Sequence, residues 1–85
     1  MASYRLLIKP SAAKELEAVP VRDRRRIARK IQRLASKPRP TGTEKLSGQE
    51  KYRLRQGNYR VLYSVDDAQP AVVIVRIGHR RNVYR

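Results

Sequence analysis

With 85 residues the chain has room for one small domain and one modest core, so a second domain is excluded and residues 1–85 are read as a unit. Its 21 Lys+Arg outnumber 7 Asp+Glu for a net charge of +14, which belongs with proteins that meet polyanions, nucleic acid first among them. The absence of Cys removes disulfide staples, thiolate nucleophiles and zinc–thiolate sites together, and a single His with few carboxylates argues against a catalytic metal; no cofactor is expected.

Tyr4 to Ile8 reads as a first strand, ended by Lys9-Pro10-Ser11, where Pro suits a first helical turn and Ser a helix cap. Ala12, Leu16 and Val19 then fall at i, i+4 and i+7, one apolar stripe of a short helix. Pro20 separates it from a longer helix, Val21 to Ser36. There Ile27, Ile31, Leu34 and Ala35 repeat with helical spacing, and Arg22, Arg24, Arg25, Arg26, Arg29 and Lys30 fill much of the remainder. The two segments predict a helical hairpin, and the arginine-dense run, Arg22 to Lys30, reads as a solvated face rather than as part of a catalytic site, although a groove on ribosomal RNA would also suit it.

Lys37 to Gly42, with two prolines and a glycine, is a loop. Glu44 to Gly48 leads from it into a strand, Lys51 to Arg55. A second strand, Tyr59 to Val65, follows Gly57-Asn58, a two-residue turn tolerant of positive φ and flanked by alternating apolar and polar residues. After a turn from Asp66 to Pro70, the β-branched run Ala71 to Ile77 is the last strand. The longest apolar stretch, Ala71 to Val75, is too short to span a bilayer, and Met1 to Arg5 does not lead into a signal-type apolar region. A cytoplasmic protein without a membrane partner is expected. The order of strand, two helices and three strands predicts an α+β fold, its helices packed on one face of a mainly antiparallel sheet that ends in a three-strand meander.

The turn sets a register. With Gly57 and Asn58 as the loop, Gln56 faces Tyr59, Arg55 faces Arg60, Leu54 faces Val61, Arg53 faces Leu62 and Tyr52 faces Tyr63. Leu54, Val61, Tyr52 and Tyr63 then share the side toward the helices, and Arg53, Arg55, Arg60 and Leu62 share the other. Like charges directly opposite one another destabilise a sheet, so an anion is expected between Arg55 and Arg60.

Lys45-Leu46-Ser47-Gly48, Tyr52-Arg53-Leu54-Arg55, Tyr59-Arg60-Val61-Leu62-Tyr63-Ser64-Val65-Asp66-Asp67 and Val75 to Arg85 resemble, in this order and spacing, the RelE/ParE toxin superfamily, and more specifically its RelE branch. The likeness covers almost the whole chain. It implies a microbial-ribonuclease-type fold and a metal-independent endoribonuclease that cuts mRNA in the ribosomal A site, the 2′-hydroxyl attacking its adjacent phosphate. It also implies neutralisation by an acidic, RelB-like antitoxin. The family's site positions match Arg53, Arg55, Arg60, Arg80 and Tyr84. By this resemblance Arg60 and Arg80 would bind the scissile phosphate, and Tyr84 would stack on a base or orient the 2′-oxygen. Lys51, Arg53 and Arg81 would bind RNA around them.

Where the family's best-known member has lysines, the strand before the turn carries Arg53 and Arg55, and guanidinium does not deprotonate at working pH. His79, directly before Arg80, is the expected proton-transfer group, with Glu44 and Glu50 as alternatives. A glutamate that some relatives carry before this strand is replaced by Arg39. A gyrase poison of the ParE branch and a non-catalytic RNA-binding module are the alternative functions.

Overall fold

The structure, a computed structural model, describes residues 3–46 and 51–81. Its elements are β1 (Arg5–Ile8), α1 (Pro10–Glu17), α2 (Val21–Arg33), β2 (Glu44–Lys45), β3 (Lys51–Gln56), β4 (Tyr59–Asp66) and β5 (Ala71–His79). Five strands form one mixed sheet in the order β1-β5-β4-β3-β2. β1 runs parallel to β5, and the other neighbours are antiparallel. The α+β reading and the meander β3–β4–β5 hold. Several details differ: α2 ends at Arg33 rather than Ser36, β5 runs on to His79 rather than stopping at Ile77, and Pro10 already opens α1, so Lys9 is the cap position and makes no side-chain capping bond. Glu44–Lys45, expected to be lead-in, pairs with β3 as a short outer strand.

Period two builds the core. Tyr52 and Leu54 of β3, with Val61, Tyr63 and Val65 of β4, alternate inward. On β5 the inward positions are Val72, Ile74 and then Ile77, a step of three, because the pairing with β4 shifts beside Leu62 and Tyr63. Against this face the helices set Ala12, Val19, Ile27, Ile31 and Leu34, all in the same buried cluster. α1 lies over β5 and α2 over β3. Glu15 closes the edge of β5 beyond the end of β1: its Oε1 accepts the Ile77 N–H at 2.9 Å, and Arg76 Nε lies 3.7 Å from Oε2.

The end of the sheet away from Gly57-Asn58 is fastened by a polar clamp. The Tyr4 hydroxyl donates to Asp67 Oδ1 at 2.6 Å, and Arg39 grips both oxygens of the same carboxylate at 3.2 and 2.8 Å. Arg39 Nε donates to the Tyr52 hydroxyl at 2.9 Å, and its guanidinium lies 5.2 Å from the centre of that ring. The Tyr63 hydroxyl donates to the Pro38 carbonyl at 2.8 Å, while its ring stacks on Tyr52 with centroids 5.7 Å apart. One network thus ties β1, the 37–43 loop, β3 and the β4–β5 turn together. Among the described residues no helix is long and apolar enough to cross a membrane.

Arg39, and after it Tyr4, holds the Asp67 carboxyl below its ordinary value of 3.8, and the Asp67 carboxylate holds the Tyr4 hydroxyl above its ordinary 10.0. A depressed acid stabilises the fold above its unfolded pKa and loses that contribution as pH falls through the folded one. Asp67→Asn should therefore lower the urea midpoint at pH 7, and the gap to the parent protein should close as both are titrated below pH 3.8. In the buried layer, Ile74→Ala should cost about 2–5 kcal/mol by opening a cavity, whereas Tyr63→Phe should cost about 1 kcal/mol for the lost hydrogen bond. Urea unfolding followed by circular dichroism measures both.

Candidate active site

The register expected from the turn is the one observed: Gln56↔Tyr59, Arg55↔Arg60, Leu54↔Val61, Arg53↔Leu62 and Tyr52↔Tyr63, with Lys51↔Ser64 beyond. Gly57 has φ +58° and Asn58 is not positive, the pattern of a type II′ turn. Because Leu54 and Val61 are buried toward the helices, Lys51, Arg53, Arg55 and Arg60 belong to the opposite face. Arg80 joins them from the end of β5. Its N–H donates to the Asn58 carbonyl at 2.8 Å, which ties the last turn of chain to the hairpin tip, and Gly78 lies across from Arg60. Arg55, Arg60 and Arg80 thus gather around one tight turn.

Arg60 departs from the expected role of an open partner to Arg55. Only 9% of its surface is exposed, and its Nη1 donates to the carbonyls of Gly57 and Tyr59 at 3.1 and 2.9 Å. A charge so buried needs hydrogen-bond partners, and the turn's carbonyls lie within reach. Binding them draws the Arg60 charge onto the turn, so no bound anion is required to separate it from exposed Arg55. Arg60 braces the loop on which Arg80 rests.

Arg53 is ion-paired with Glu44, its partner across β2 and β3, so one carboxylate shares the arginine face. Where β2 ends, the outer edge of β3 is open, and Lys30 of α2 reaches it to donate Nζ to the Arg55 carbonyl at 2.8 Å. A cavity of about 380 Å³ lies there, lined by Lys30, Thr41, Gly42, Glu44, Arg53 and Arg55 together with Leu54. Three cationic side chains and one carboxylate make it a place for an anion.

His79 is not brought to this group. It pairs with Tyr59, their rings edge-on with centroids 5.8 Å apart, and lines a hollow with Glu15, Ala18 and Val19 on the helix side. The Arg81 N–H lies 3.3 Å from His79 Nδ1. The reason is the strand period: Ile77 is buried toward the helices, and His79, two residues on and the last residue of β5, falls on the same side. Arg81 is exposed just past β5. Tyr84 lies outside the described residues, as does Glu50. Arg39 belongs to the clamp at the far end of the sheet. Among the described residues no group of three or more His, Cys, Asp or Glu could hold a metal ion.

Sequence reasoning missed the Lys30 cavity and the pairing of Glu44 with Arg53. For Glu44 a weak signal existed in its place just before the strand. A two-residue strand shows no alternation of its own, so its register could not be read. Lys30 sat within a charge-dense helix face and carried no distinguishing mark.

Residues 6–84 match the family model described as the ParE toxin of type II toxin–antitoxin systems, parDE. Toxin RelG of Mycobacterium tuberculosis is 52% identical over 31 residues, so the match spans 36% of each chain. Among solved structures, RelE in the archaeal RelE–RelB complex of Pyrococcus horikoshii is 30% identical, with 95% of this chain and 99% of that one aligned and a TM-score of 0.84. The isolated RelE toxin of E. coli is 25% identical over 91% of this chain and 84% of that one, with a TM-score of 0.80. The family model carries the ParE description, while the similar proteins named here are Rel toxins. The chain belongs to the RelE/ParE toxin family of type II toxin–antitoxin systems and is a toxin of the RelE type.

Proposed function

We propose that this toxin is a ribosome-dependent endoribonuclease, acting in the cytoplasm on mRNA in the ribosomal A site and inhibiting translation. The observation that carries this reading is the gathering of Arg55, Arg60 and Arg80 around the Gly57-Asn58 turn in a chain that matches RelE toxins along most of its length. In the reaction the 2′-oxygen forms a bond to its own 3′-phosphorus as the bond to the 5′-oxygen breaks. A 2′,3′-cyclic phosphate and a 5′-hydroxyl result, the departing 5′-oxygen taking its proton from solvent. Negative charge accumulates on the non-bridging oxygens, and fixed guanidinium donors stabilise it without a metal. Arg55 and Arg80 touch the phosphate in this scheme; Arg60, seated on the turn carbonyls, positions them and adds its charge. Lys51, Arg53 and Arg81 hold the flanking backbone, and Tyr84 stacks on a base.

Guanidinium cannot take the 2′-hydroxyl proton. Glu44, on the arginine face beside Arg53, is the proposed acceptor in preference to His79, whose strand position aims it at the helices. The antitoxin is an acidic, RelB-like chain that folds onto the toxin; several similar structures are RelB–RelE complexes, and a +14 surface suits such a partner.

Arg80→Ala and Arg55→Ala should each cut cleavage of a defined mRNA on programmed ribosomes by about 100-fold or more, and Glu44→Gln by about 100-fold, with the fold intact by circular dichroism. His79→Ala should stay within a few-fold of the parent. Full activity in both arginine variants overturns the nuclease reading. Trapped DNA breaks in a gyrase supercoiling assay would favour the ParE alternative, and activity in neither assay would leave an RNA-binding module. Toxin–antitoxin affinity should weaken as salt rises from 50 to 500 mM, a range over which the Debye length shortens from roughly 14 to 4 Å. Isothermal titration measures it, and an affinity independent of salt contradicts an electrostatic antitoxin surface.

A further inference from the structure

β2 is two residues long and begins opposite Arg53, so from Leu54 onward the outer edge of β3 has no strand beside it. Starting β2 two residues earlier, at Gly42, would have covered that edge. Instead Gly42 takes φ +93°, the Thr43 N–H donates to the Pro40 carbonyl at 3.1 Å, and the chain turns away. The Arg55 carbonyl is satisfied from outside the sheet, by Lys30 Nζ at 2.8 Å. A cleft of two chambers results, both lined by Lys30, Thr41 and Leu54. The larger, about 380 Å³, adds Gly42, Glu44, Arg53 and Arg55; the smaller, about 130 Å³, adds Arg33 and Pro40. Its loop wall is fixed, because the Tyr63 hydroxyl holds the Pro38 carbonyl and Asp67 holds Arg39. Among the described residues neither Lys30 nor Arg55 forms an ion pair, so two cations face the cleft without a protein counter-charge of their own.

We infer, resting on the nuclease reading, that this cleft holds the nucleoside whose 2′-oxygen attacks, the one on the 5′ side of the cut. Its 3′-phosphate sits on Arg55, its ribose beside Glu44 and its base in the smaller chamber. Arg55 belongs both to the arginine face and to the larger chamber, so a phosphate bound there sets its sugar at the mouth of the cleft. Glu44 lines the same chamber, and a proton acceptor must lie within hydrogen-bond reach of the 2′-hydroxyl. Both conditions put the ribose between the two side chains. Arg53 stands two residues from Arg55, about 6.8 Å along the strand, a spacing comparable with that of successive phosphates, and takes the phosphate on the nucleoside's other side. For the base, Leu54 and Pro40 give an apolar floor and Arg33 a guanidinium plane on which a flat ring stacks. The larger chamber alone falls within the roughly 300–1,000 Å³ of small-molecule sites. An acidic side chain of a protein partner is the rival occupant. It would leave the apolar chamber unfilled and bring a second carboxylate against Glu44, whereas a nucleoside offers Glu44 hydroxyl donors.

The test titrates the ¹⁵N-labelled full chain with adenosine 3′-monophosphate, adenosine 5′-monophosphate, inorganic phosphate and poly-L-glutamate, followed by amide chemical shifts. The 3′-monophosphate should move the Thr41, Gly42 and Arg55 amides and bind at least about 10-fold more tightly than inorganic phosphate, the difference coming from the stacked base. It should also bind more tightly than the 5′-monophosphate, because only the 3′ isomer seats its phosphate on Arg55 and its 2′-hydroxyl on Glu44 together. Lys30→Gln should weaken the 3′-monophosphate by about 10-fold, with part of the loss recovered in Lys30→Arg. Thr41→Phe, at an exposed position on the rim, should block the cleft while the thermal midpoint holds. On programmed ribosomes the same variant should change the ratio of cuts after purines to cuts after pyrimidines, which a merely structural role would not do. Inorganic phosphate binding as tightly as the 3′-monophosphate overturns the assignment, as does an unaltered 3′-monophosphate affinity in Thr41→Phe. Movement of these amides by poly-L-glutamate and not by the 3′-monophosphate gives the cleft to an acidic protein segment and overturns it equally. If the parent protein cuts no mRNA yet binds the 3′-monophosphate through Lys30 and Thr41, the nuclease reading fails and the cleft stands as a nucleotide site. If it cuts, and Lys30→Gln and Thr41→Phe bind the 3′-monophosphate as the parent does, the cleft is not the nucleoside site and the nuclease reading stands.

Discussion

A two-residue hairpin admits one register, and in a strand the register decides which side of the sheet every side chain meets. Gly57 takes the positive φ that the tip requires, Asn58 does not, and from there the pairing of Arg55 with Arg60 and of Leu54 with Val61 follows. Slip the pairing by one residue and Tyr52, Leu54, Val61 and Tyr63 would move to the wrong face together. The core therefore holds the cationic face in place: burying one set of alternate residues obliges the other set to stand together on the far side. Positioning of the site is a by-product of hydrophobic burial, which is far larger than any attraction available to the arginines themselves.

Scarce carboxylates make that division possible. Of the 7 acidic residues in the chain, Glu15 closes the free edge of β5, Glu44 pairs with Arg53, Asp66 accepts the N–H groups of Ala68 and Gln69 at the β4–β5 turn, and Asp67 holds Tyr4 and Arg39. Acid is spent on strand edges, turns and loop anchors, and among the described residues only Glu44 faces the arginine cluster. Most of the positive charge is left uncompensated, including the arginine-dense run of α2. A chain this short has a small stability margin, and such self-repulsion reduces it further, which an anionic partner would reverse by binding the folded state.

Legibility followed the range of the interaction. Period-two alternation and the Gly57-Asn58 turn are local, and they were enough to read β3, β4, their pairing and the buried face. Helical spacing was enough for Ile27, Ile31 and Leu34. The parallel seat of β1 beside β5, the clamp made by Arg39 and the reach of Lys30 to the Arg55 carbonyl all join residues distant in sequence, and no local pattern announces them. His79 teaches a different point. Adjacency to Arg80 suggested a shared site, but the last strand was read as ending at Ile77; β5 runs on to His79, which pairs with Tyr59 and falls on the helix side with Ile77. Arg60 went astray for an energetic reason: its face was read correctly, but carbonyls exposed by the tight turn offered a closer partner than solvent.

The two ends of the sheet carry different physics, and the separation matters for what such a toxin can do. At the Asp66–Pro70 end, hydroxyls, a carboxylate and Arg39 satisfy one another, so that end is closed and its role is to hold β1 and the 37–43 loop. At the Gly57-Asn58 end, Arg60 is committed to the turn while Arg55 and Arg80 stay exposed, and the nearby cavity is shaped by Thr41 and Gly42 of the loop that the distant clamp anchors. Electrostatic catalysis depends on donors that do not reorganise when charge develops. A hairpin tip is ordinarily the softest part of a sheet, and here three separate bonds stiffen it: two from the Arg60 guanidinium to the tip carbonyls, and one from the Arg80 N–H to Asn58. The buried arginine is therefore better understood as part of the scaffold that keeps its exposed neighbours in place than as one more open cation of the arginine face.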